Sequence, residues 1–395
     1  MSDYKDNVEN NKTGLTDRML PRLYSFLKLF FCFFIAVSLV YYIVSKDKDI
    51  SEVENRPLQK RPSFTVSSFI DGSFMDNMEK WLSDQFPLRD GAVSLKTLID
   101  RTLGKKEENG VYFGKDGFLF EKGSVYDKKL INKTTSSMKK FMKKHRFENS
   151  AVIISPNSSE ILGDYLPQFV KEESQKVILS DIRKKLKKGN GTWIDCHKIL
   201  SSYENKEDLF FRTDHHWTVR ASYEVFKNLR NKWELEAKGV KYKFYTVTDE
   251  FQGTLSSSSG TTDITDKIEI CMPQKKGMSY VAVWESQQLR KATLFDKTKL
   301  QTKNKYEVFL GGNFDKIEIT TNNDNMKSLL IFKDSYANSM IPMLLPYFSK
   351  IVVVDPRYYS DEIDNLVEDN DFTHLLFLYN VNTFLEDTSI EKLFG

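Results

Sequence analysis

The sequence predicts an α/β protein: a parallel sheet interrupted by a β-rich insertion and carried behind one N-terminal transmembrane helix. Three observations lead there. From Ser150 onward short apolar runs alternate with helical stretches, the pattern of strands joined by crossover helices. Residues 240–325 break that rhythm with strand-like pieces joined by polar turns. Near the start, residues 29–44 form a run of 16 apolar or small residues without a charge.

Residues 1–28 mix acidic, basic and asparagine side chains and read as a short disordered cytoplasmic tail. The anchor at 29–44 extends back to Leu23 with only Lys28 interrupting, which gives 22 residues, close to the roughly 20 that cross a bilayer. Lys12, Arg18, Arg22 and Lys28 precede it, and no small-x-small cleavage pattern follows at SKDKD. An uncleaved, single-pass signal anchor with a cytoplasmic N-terminus is therefore expected, with a cleaved signal peptide as the alternative. In both cases the rest of the chain is extracytoplasmic.

Residues 45–105 read as a membrane-proximal segment: the proline- and charge-rich SEVENRPLQKRPSF, then helices near 74–82 and 92–103. Residues 106–395 form the α/β domain. It opens with VYFGKDGFLF, aromatic residues around a Gly-Lys-Asp-Gly turn as in a hairpin, and a lysine-rich amphipathic segment at 135–147. AVIISP and TWIDC are strands, and 172–187 and 219–233 are helices. The insertion, about 240–325, contains KYKFYTVT, KIEICM, YVAVW, YEVFLG and KIEIT as strands and a loop at 256–260. The α/β rhythm returns with SLLIF, a helix around 337–348, IVVVD, a helix near 361–367, and HLLFLY.

Composition removes some functions. With 58 basic and 55 acidic residues the net charge is +3, too small for the field that nucleic-acid binding needs. Cys32, Cys196 and Cys271 cannot make a disulfide framework; at most Cys196 and Cys271 pair.

The chemistry points to LLIFKDSYANSMIPML, where an apolar strand ends at Lys333-Asp334-Ser335 and a helix follows. A serine there stands at the carboxyl end of a strand, where helix N–H groups stabilise an oxyanion, although serine is also an ordinary N-cap. Such a nucleophile needs a base, and the base needs an orienting partner. Of five histidines, two lie in Arg212-Thr213-Asp214-His215-His216-Trp217-Thr218. Asp214 is placed to hold the His216 imidazole while its other nitrogen faces Ser335. The alternative is a polar loop capped at Thr218. Arg357 follows IVVVD, Tyr379 ends HLLFLY and Asn380 follows it, so these three are expected beside Ser335, Arg357 on an acyl or sugar oxygen and Asn380 as an oxyanion donor. Arg357 pairing with Asp355 or Asp361, or Tyr379 as a plain strand end, is the structural alternative. A metal cluster of Asp195, His197, Asp214, His215 and His216 is a further one, although its spacing matches no strong zinc motif. Gly311-Gly312-Asn313 lacks phosphate-loop spacing and reads as a turn.

Together, SEVENRPLQ, DQFPLRD, NGVYFGKDGFLF, TDHHWT, FKDSYANS and VDPRYY, in this order, resemble the DHHW protein family, grouped with the AlgX/AlgJ-type SGNH hydrolase-like proteins. The resemblance implies an SGNH-like domain with permuted motif order, the Asp-His element before the serine. It assigns Ser335 as nucleophile, His216 as base and Asp214 as its partner. His215 stands where alginate-type relatives carry threonine and is the alternative base. Arg357 falls in the family's arginine-containing strand-end motif, and Tyr379 is carried over on a weaker match. Relatives of this type O-acetylate exported polysaccharides with acetyl groups delivered by a multi-pass membrane acyltransferase. No cofactor and no metal are implied. The expected activity is a polysaccharide O-acetyltransferase. An esterase or deacetylase with the same triad is the first alternative, and a silent glycan-binding protein, with Tyr358, Tyr359 and Trp217 stacking on sugars, is the second.

Overall fold

The computed structural model describes residues 2–51, 53–54, 56–168, 170–187 and 191–394. The chain divides into two compact units, Met1–Glu52 with Arg56–Leu95, and Val53–Asn55 with Lys96–Gly395.

The first unit begins with one helix, Ser2–Val44. Its Pro21–Val44 part, 24 residues, is long and apolar enough to cross a membrane, about 36 Å at 1.5 Å per residue. The expected disordered tail is helical from Ser2 instead. Residues that add to an existing helix avoid the nucleation cost, so a polar segment without strong apolar periodicity can still continue one. Helices Val66–Ile70 and Ser73–Asp84 follow; Thr65 and Ser68 close a capping box on the first.

The second unit is built on an eight-stranded sheet: β1 (Asn149–Ser155), β2 (Thr192–Ile194), β3 (Tyr280–Trp284), β4 (Leu289–Lys291), β5 (Lys316–Thr321), β6 (Ser328–Lys333), β7 (Lys350–Val354) and β8 (His374–Asn380). The spatial order is β4-β3-β5-β7-β6-β8-β1-β2. β7, β6, β8, β1 and β2 are mutually parallel, as expected of near-continuous apolar runs buried on both faces. Three strands of the β-rich segment do not stand apart; β5 pairs antiparallel with β7 and extends the same sheet through β3 and β4. The remaining two, Lys241–Phe251 and Asp266–Gln274, form a separate antiparallel ribbon.

Each face of the sheet has its own core. Ile131, Met138 and Phe141 of helix Lys128–Lys144 and Ile178 and Ile182 of helix Gln175–Leu186 pack with Phe332, Phe377 and Tyr379 on one face. Val225, Phe226 and Leu229 of helix Val219–Lys232 pack with Ile331, Leu378 and Trp217 on the other. The candidate chemistry lies on the second face.

Three local expectations change. YEVFLG is a 3-10 turn, Lys305–Val308, because Val308 and the adjacent Phe309 are both buried in one cluster, which a strand's alternating faces do not permit. The serine loop is a short helix, Thr254–Ser259, closed by Gly260 at φ +72°, with Ser259 Oγ donating back to the Leu255 carbonyl at 2.7 Å. The helix after Ser335 reduces to a 3-10 turn, Ser335–Ser339, and one helical turn, Ile341–Leu344. Pro346 lacks the N–H that would continue it. The helix N-terminus expected beneath Ser335 is therefore only a five-residue turn.

Candidate active site

Ser335 follows β6 by one capping residue. Asp334 is fully buried and its carboxylate accepts from Tyr336 N at 2.9 Å and from Asn380 N at 2.7 Å. It thereby ties the ends of β6 and β8 together and fixes the backbone that presents Ser335. Burial pushes the Asp334 carboxyl up, against these donors.

Several contacts hold the loop that carries Asp214 and His216. Phe210 and Trp217 form an isolated antiparallel bridge, and Trp217 Nε1 donates to the Tyr336 carbonyl at 2.9 Å. Between them, Asp214 Oδ1 lies 2.5 Å from His216 Nδ1, and His216 Nε2 lies 2.7 Å from Ser335 Oγ. With an ionised Asp214 the proton belongs on Nδ1, so Nε2 accepts from the Ser335 hydroxyl. Asp214 Oδ1 also accepts from His216 N at 3.0 Å; Oδ2 accepts from Thr254 N at 2.8 Å and Thr254 Oγ1 at 3.1 Å. Burial alone would raise the Asp214 carboxyl. The adjacent imidazoles and these donors outweigh it and hold Asp214 well below the usual carboxylate range.

His215 has a different place. Its Nδ1 is 2.6 Å from Thr254 Oγ1, which already donates to Asp214 and so accepts here. Its carbonyl accepts from the Tyr336 hydroxyl at 2.5 Å. Burial, then the neighbouring His216, depresses its imidazole. The ring covers His216, with centroids 3.9 Å apart, and it is His216 that bonds Ser335.

Two close approaches went unread in the sequence. Tyr306 stacks on His216 with centroids 3.7 Å apart and planes 11° from parallel, and its hydroxyl donates to the Ser335 carbonyl at 3.3 Å. Gly253 backs onto Asp214: a Cβ there would fall 2.3 Å from Asp214 Cβ and Oδ2. Neither carries a local signal, since Tyr306 sits in a run that reads as a strand and Gly253 in an ordinary turn.

Arg357 is committed to Asp355, Nε to Oδ1 at 2.8 Å and Nη2 to Oδ2 at 2.6 Å. The buried Lys333 joins them, 3.3 Å from Asp355 and donating to Asn313 Oδ1 at 2.8 Å. Gly311-Gly312-Asn313 is thus a turn that delivers Asn313 to this cluster. Asn380 caps helix Val381–Glu386, accepting from Asn382 N at 2.9 Å, and its amide donates to Asn157 Oδ1 at 2.6 Å. Its side chain is engaged as a brace. Tyr379 does not join Ser335: consecutive strand residues face opposite ways, and Tyr379 is buried in the other face's core against Phe384. Trp217 is fully buried, which removes it as a sugar-stacking residue.

Potential ligand atoms of Asp214, His215 and His216 lie within 4.8 Å of one another. Both His216 nitrogens, however, are taken by Asp214 and Ser335. Asp195 caps helix Cys196–Ser201 and His197 pairs with Glu160 at 3.0 Å, so the wider metal cluster does not assemble around them. Cys196 and Cys271 are buried free thiols.

Residues 111–311 match the family model described as an SGNH hydrolase-like domain, acetyltransferase AlgX. No curated protein matches the chain. Among solved structures, a DHHW family protein from Eubacterium siraeum DSM 15702 is similar with a TM-score of 0.62 and 22% identity, covering 72% of this chain and 95% of its own. Bacillus cereus PatB1 with a sulfonyl adduct is similar with a TM-score of 0.59 and 19% identity, covering 71% and 96%.

Proposed function

Because the chain belongs to the AlgX family of SGNH hydrolase-like acetyltransferases, we propose that it is a membrane-anchored O-acetyltransferase acting outside the cytoplasm on an exported or cell-surface polysaccharide. Ser335, His216 and Asp214 carry the reaction. The observation that supports this most is the continuous line from Asp214 through both His216 nitrogens to Ser335 Oγ, 2.5 and 2.7 Å.

The reaction is a double displacement. Ser335 Oγ attacks the donor's acetyl carbonyl while His216 Nε2 takes its proton, and Asp214 stabilises the imidazolium. Collapse of the tetrahedral intermediate releases the donor, which receives that proton, and leaves acetyl-Ser335. A sugar hydroxyl then gives its proton to His216 and attacks the acyl carbon, and the proton returns to Ser335. Arg357 Nη1, outside the bidentate pair with Asp355, is the side-chain donor we assign to an acyl or sugar oxygen. Asn380 acts from behind, by bracing Asn157. The acetyl donor is supplied by a multi-pass membrane acyltransferase partner.

Ser335 is partly exposed, which favours a second reading, an esterase with water as acceptor. The full-length protein, incubated with a chromogenic acetyl ester with and without oligosaccharide acceptors, separates the two. Acetyl on the sugar supports transfer, and acetate alone supports the esterase. Absence of turnover with every acceptor tried, together with no adduct on the protein, would reject catalysis. The PatB1 sulfonyl adduct recommends a sulfonyl fluoride as a second probe of the nucleophile.

A further inference from the structure

The first unit carries an apolar feature that the catalytic reading leaves unused. Helix Ser73–Asp84 leans on the end of the membrane-length helix. The Tyr42 hydroxyl donates to the Leu82 carbonyl at 2.5 Å, Tyr42 and Trp81 rings meet at 5.2 Å, and Trp81 Nε1 donates to Asp47 at 3.0 Å. These aromatic groups with polar tips stand near the end of the span, where such groups mark a membrane–water boundary.

Beyond them the chain turns back along the helix. The Phe86 ring meets that of Phe34 at 6.0 Å. Phe34 lies about 15 Å before the helix end at Val44, and the span exceeds a hydrocarbon core of about 30 Å by only about 6 Å. Even with all of that excess on this side, Phe34 stays inside the hydrocarbon, and Phe86 is beside it.

Leu88 adds an independent observation. It is 87% exposed and held at φ +59°, a left-handed conformation that costs a non-glycine residue roughly 1 kcal/mol. A leucine strained outward is unfavourable in water and favourable in lipid. Leu82, also exposed, flanks the same turn, and Gln85 pins it by hydrogen bonds to Lys48 and Gln59.

We propose that the turn at 85–88 is a second membrane-contact element, which inserts Phe86 and Leu88 into the bilayer alongside the span. This rests on the reading of Pro21–Val44 as a membrane anchor. The turn adds lipid contact to the single helix and resists rotation of the first unit about the helix axis.

The test uses the full-length chain with Cys32→Ser, Cys196 and Cys271 being buried, in vesicles of phosphatidylcholine and phosphatidylglycerol. Single spin labels are placed through Val37→Cys, Leu88→Cys and Lys80→Cys, the last on the polar side of helix Ser73–Asp84. Collision with oxygen, enriched in lipid, is compared with collision with a water-soluble nickel chelate. The expected oxygen-to-nickel ratio is several-fold higher at positions 37 and 88 than at 80. A lipid-like label at 37 with a water-like label at 88 overturns the proposal. A water-like label at 37 overturns the anchor reading on which it stands. Lys80 and Leu88 both carry exposed side chains, so folding is preserved, and circular dichroism of each labelled protein verifies it.

Discussion

The Tyr306 ring lies flat on the His216 ring, 3.7 Å between centroids and 11° between planes. One face of the imidazole is thus closed by an aromatic surface and the other by His215, 3.9 Å away. The two in-plane ring nitrogens point along the line from Asp214 to Ser335. When His216 takes a proton, the Tyr306 face also stabilises the cation.

Tyr306→Ala is therefore expected to lower kcat by about tenfold to a hundredfold, with a smaller change in KM, because it frees the ring and weakens the imidazolium. Tyr306→Phe keeps the stack and loses only the 3.3 Å bond to the Ser335 carbonyl, so its rate stays near that of the parent. Steady-state kinetics on an acetyl ester distinguish the two. Equal losses in both variants would contradict the stacking role.

The two histidines are expected to separate cleanly. His216→Gln and Asp214→Asn each reduce turnover by on the order of 10³-fold or more, the second by permitting the wrong tautomer. His215→Gln costs less than about tenfold, since its ring nitrogen faces Thr254 and not the serine. A larger loss in His215→Gln than in His216→Gln would make His215 the base.

Gly253→Ala offers a steric test. The added methyl would stand 2.3 Å from the Asp214 carboxylate, so either the carboxylate or the Gly253 backbone must shift. The expected result is about 1–3 kcal/mol lost from stability with activity lost more steeply than in Gly163→Ala, whose Cβ meets nothing within 4 Å. Denaturant titration and turnover on the same preparations check it.

How much of this was legible in the sequence depends on range. β6, β7, β8 and β1 are unbroken apolar runs, and a strand buried on both faces has no other appearance. Asp214 and His216 are two residues apart, so one loop presents both. Tyr306 reaches His216 only through the tertiary fold, and its alternating surroundings imitate a strand. Placing both Tyr379 and Asn380 at Ser335 conflicts with strand parity, because neighbours on a strand point to opposite faces. For Arg357 the sequence offers Asp355 or Asp361 as a pairing partner, and it is the Asp355 pair that forms. What draws Lys333 into the same cluster is Asn313, from a turn 20 residues earlier.

Stability should depend on pH through His374, at the start of β8. It is packed against Trp233 and Phe348, accepts from Asn149 at Nε2 at 3.3 Å and lies 2.8 Å from Thr373 Oγ1 through Nδ1. Burial, then Lys327, pushes its imidazole down to about 4. The unfolded chain, with an ordinary value near 6.5, binds this proton first as the pH falls. The neutral form's contribution is therefore whole above about pH 6.5 and is lost toward pH 4, up to about 3 kcal/mol. Urea midpoints of the parent should fall more steeply over that window than those of His374→Gln. Equal slopes would remove His374 as the cause.

The most direct test of the account is to find which atom carries the acyl group. The full-length protein is treated with an acetyl ester or a sulfonyl fluoride, quenched in acid, digested and mapped by mass spectrometry. The expected result is an adduct on Ser335, its absence in Ser335→Ala, and a folded Ser335→Ala protein with unchanged circular dichroism. An adduct on another residue, or turnover that persists in Ser335→Ala, would contradict it.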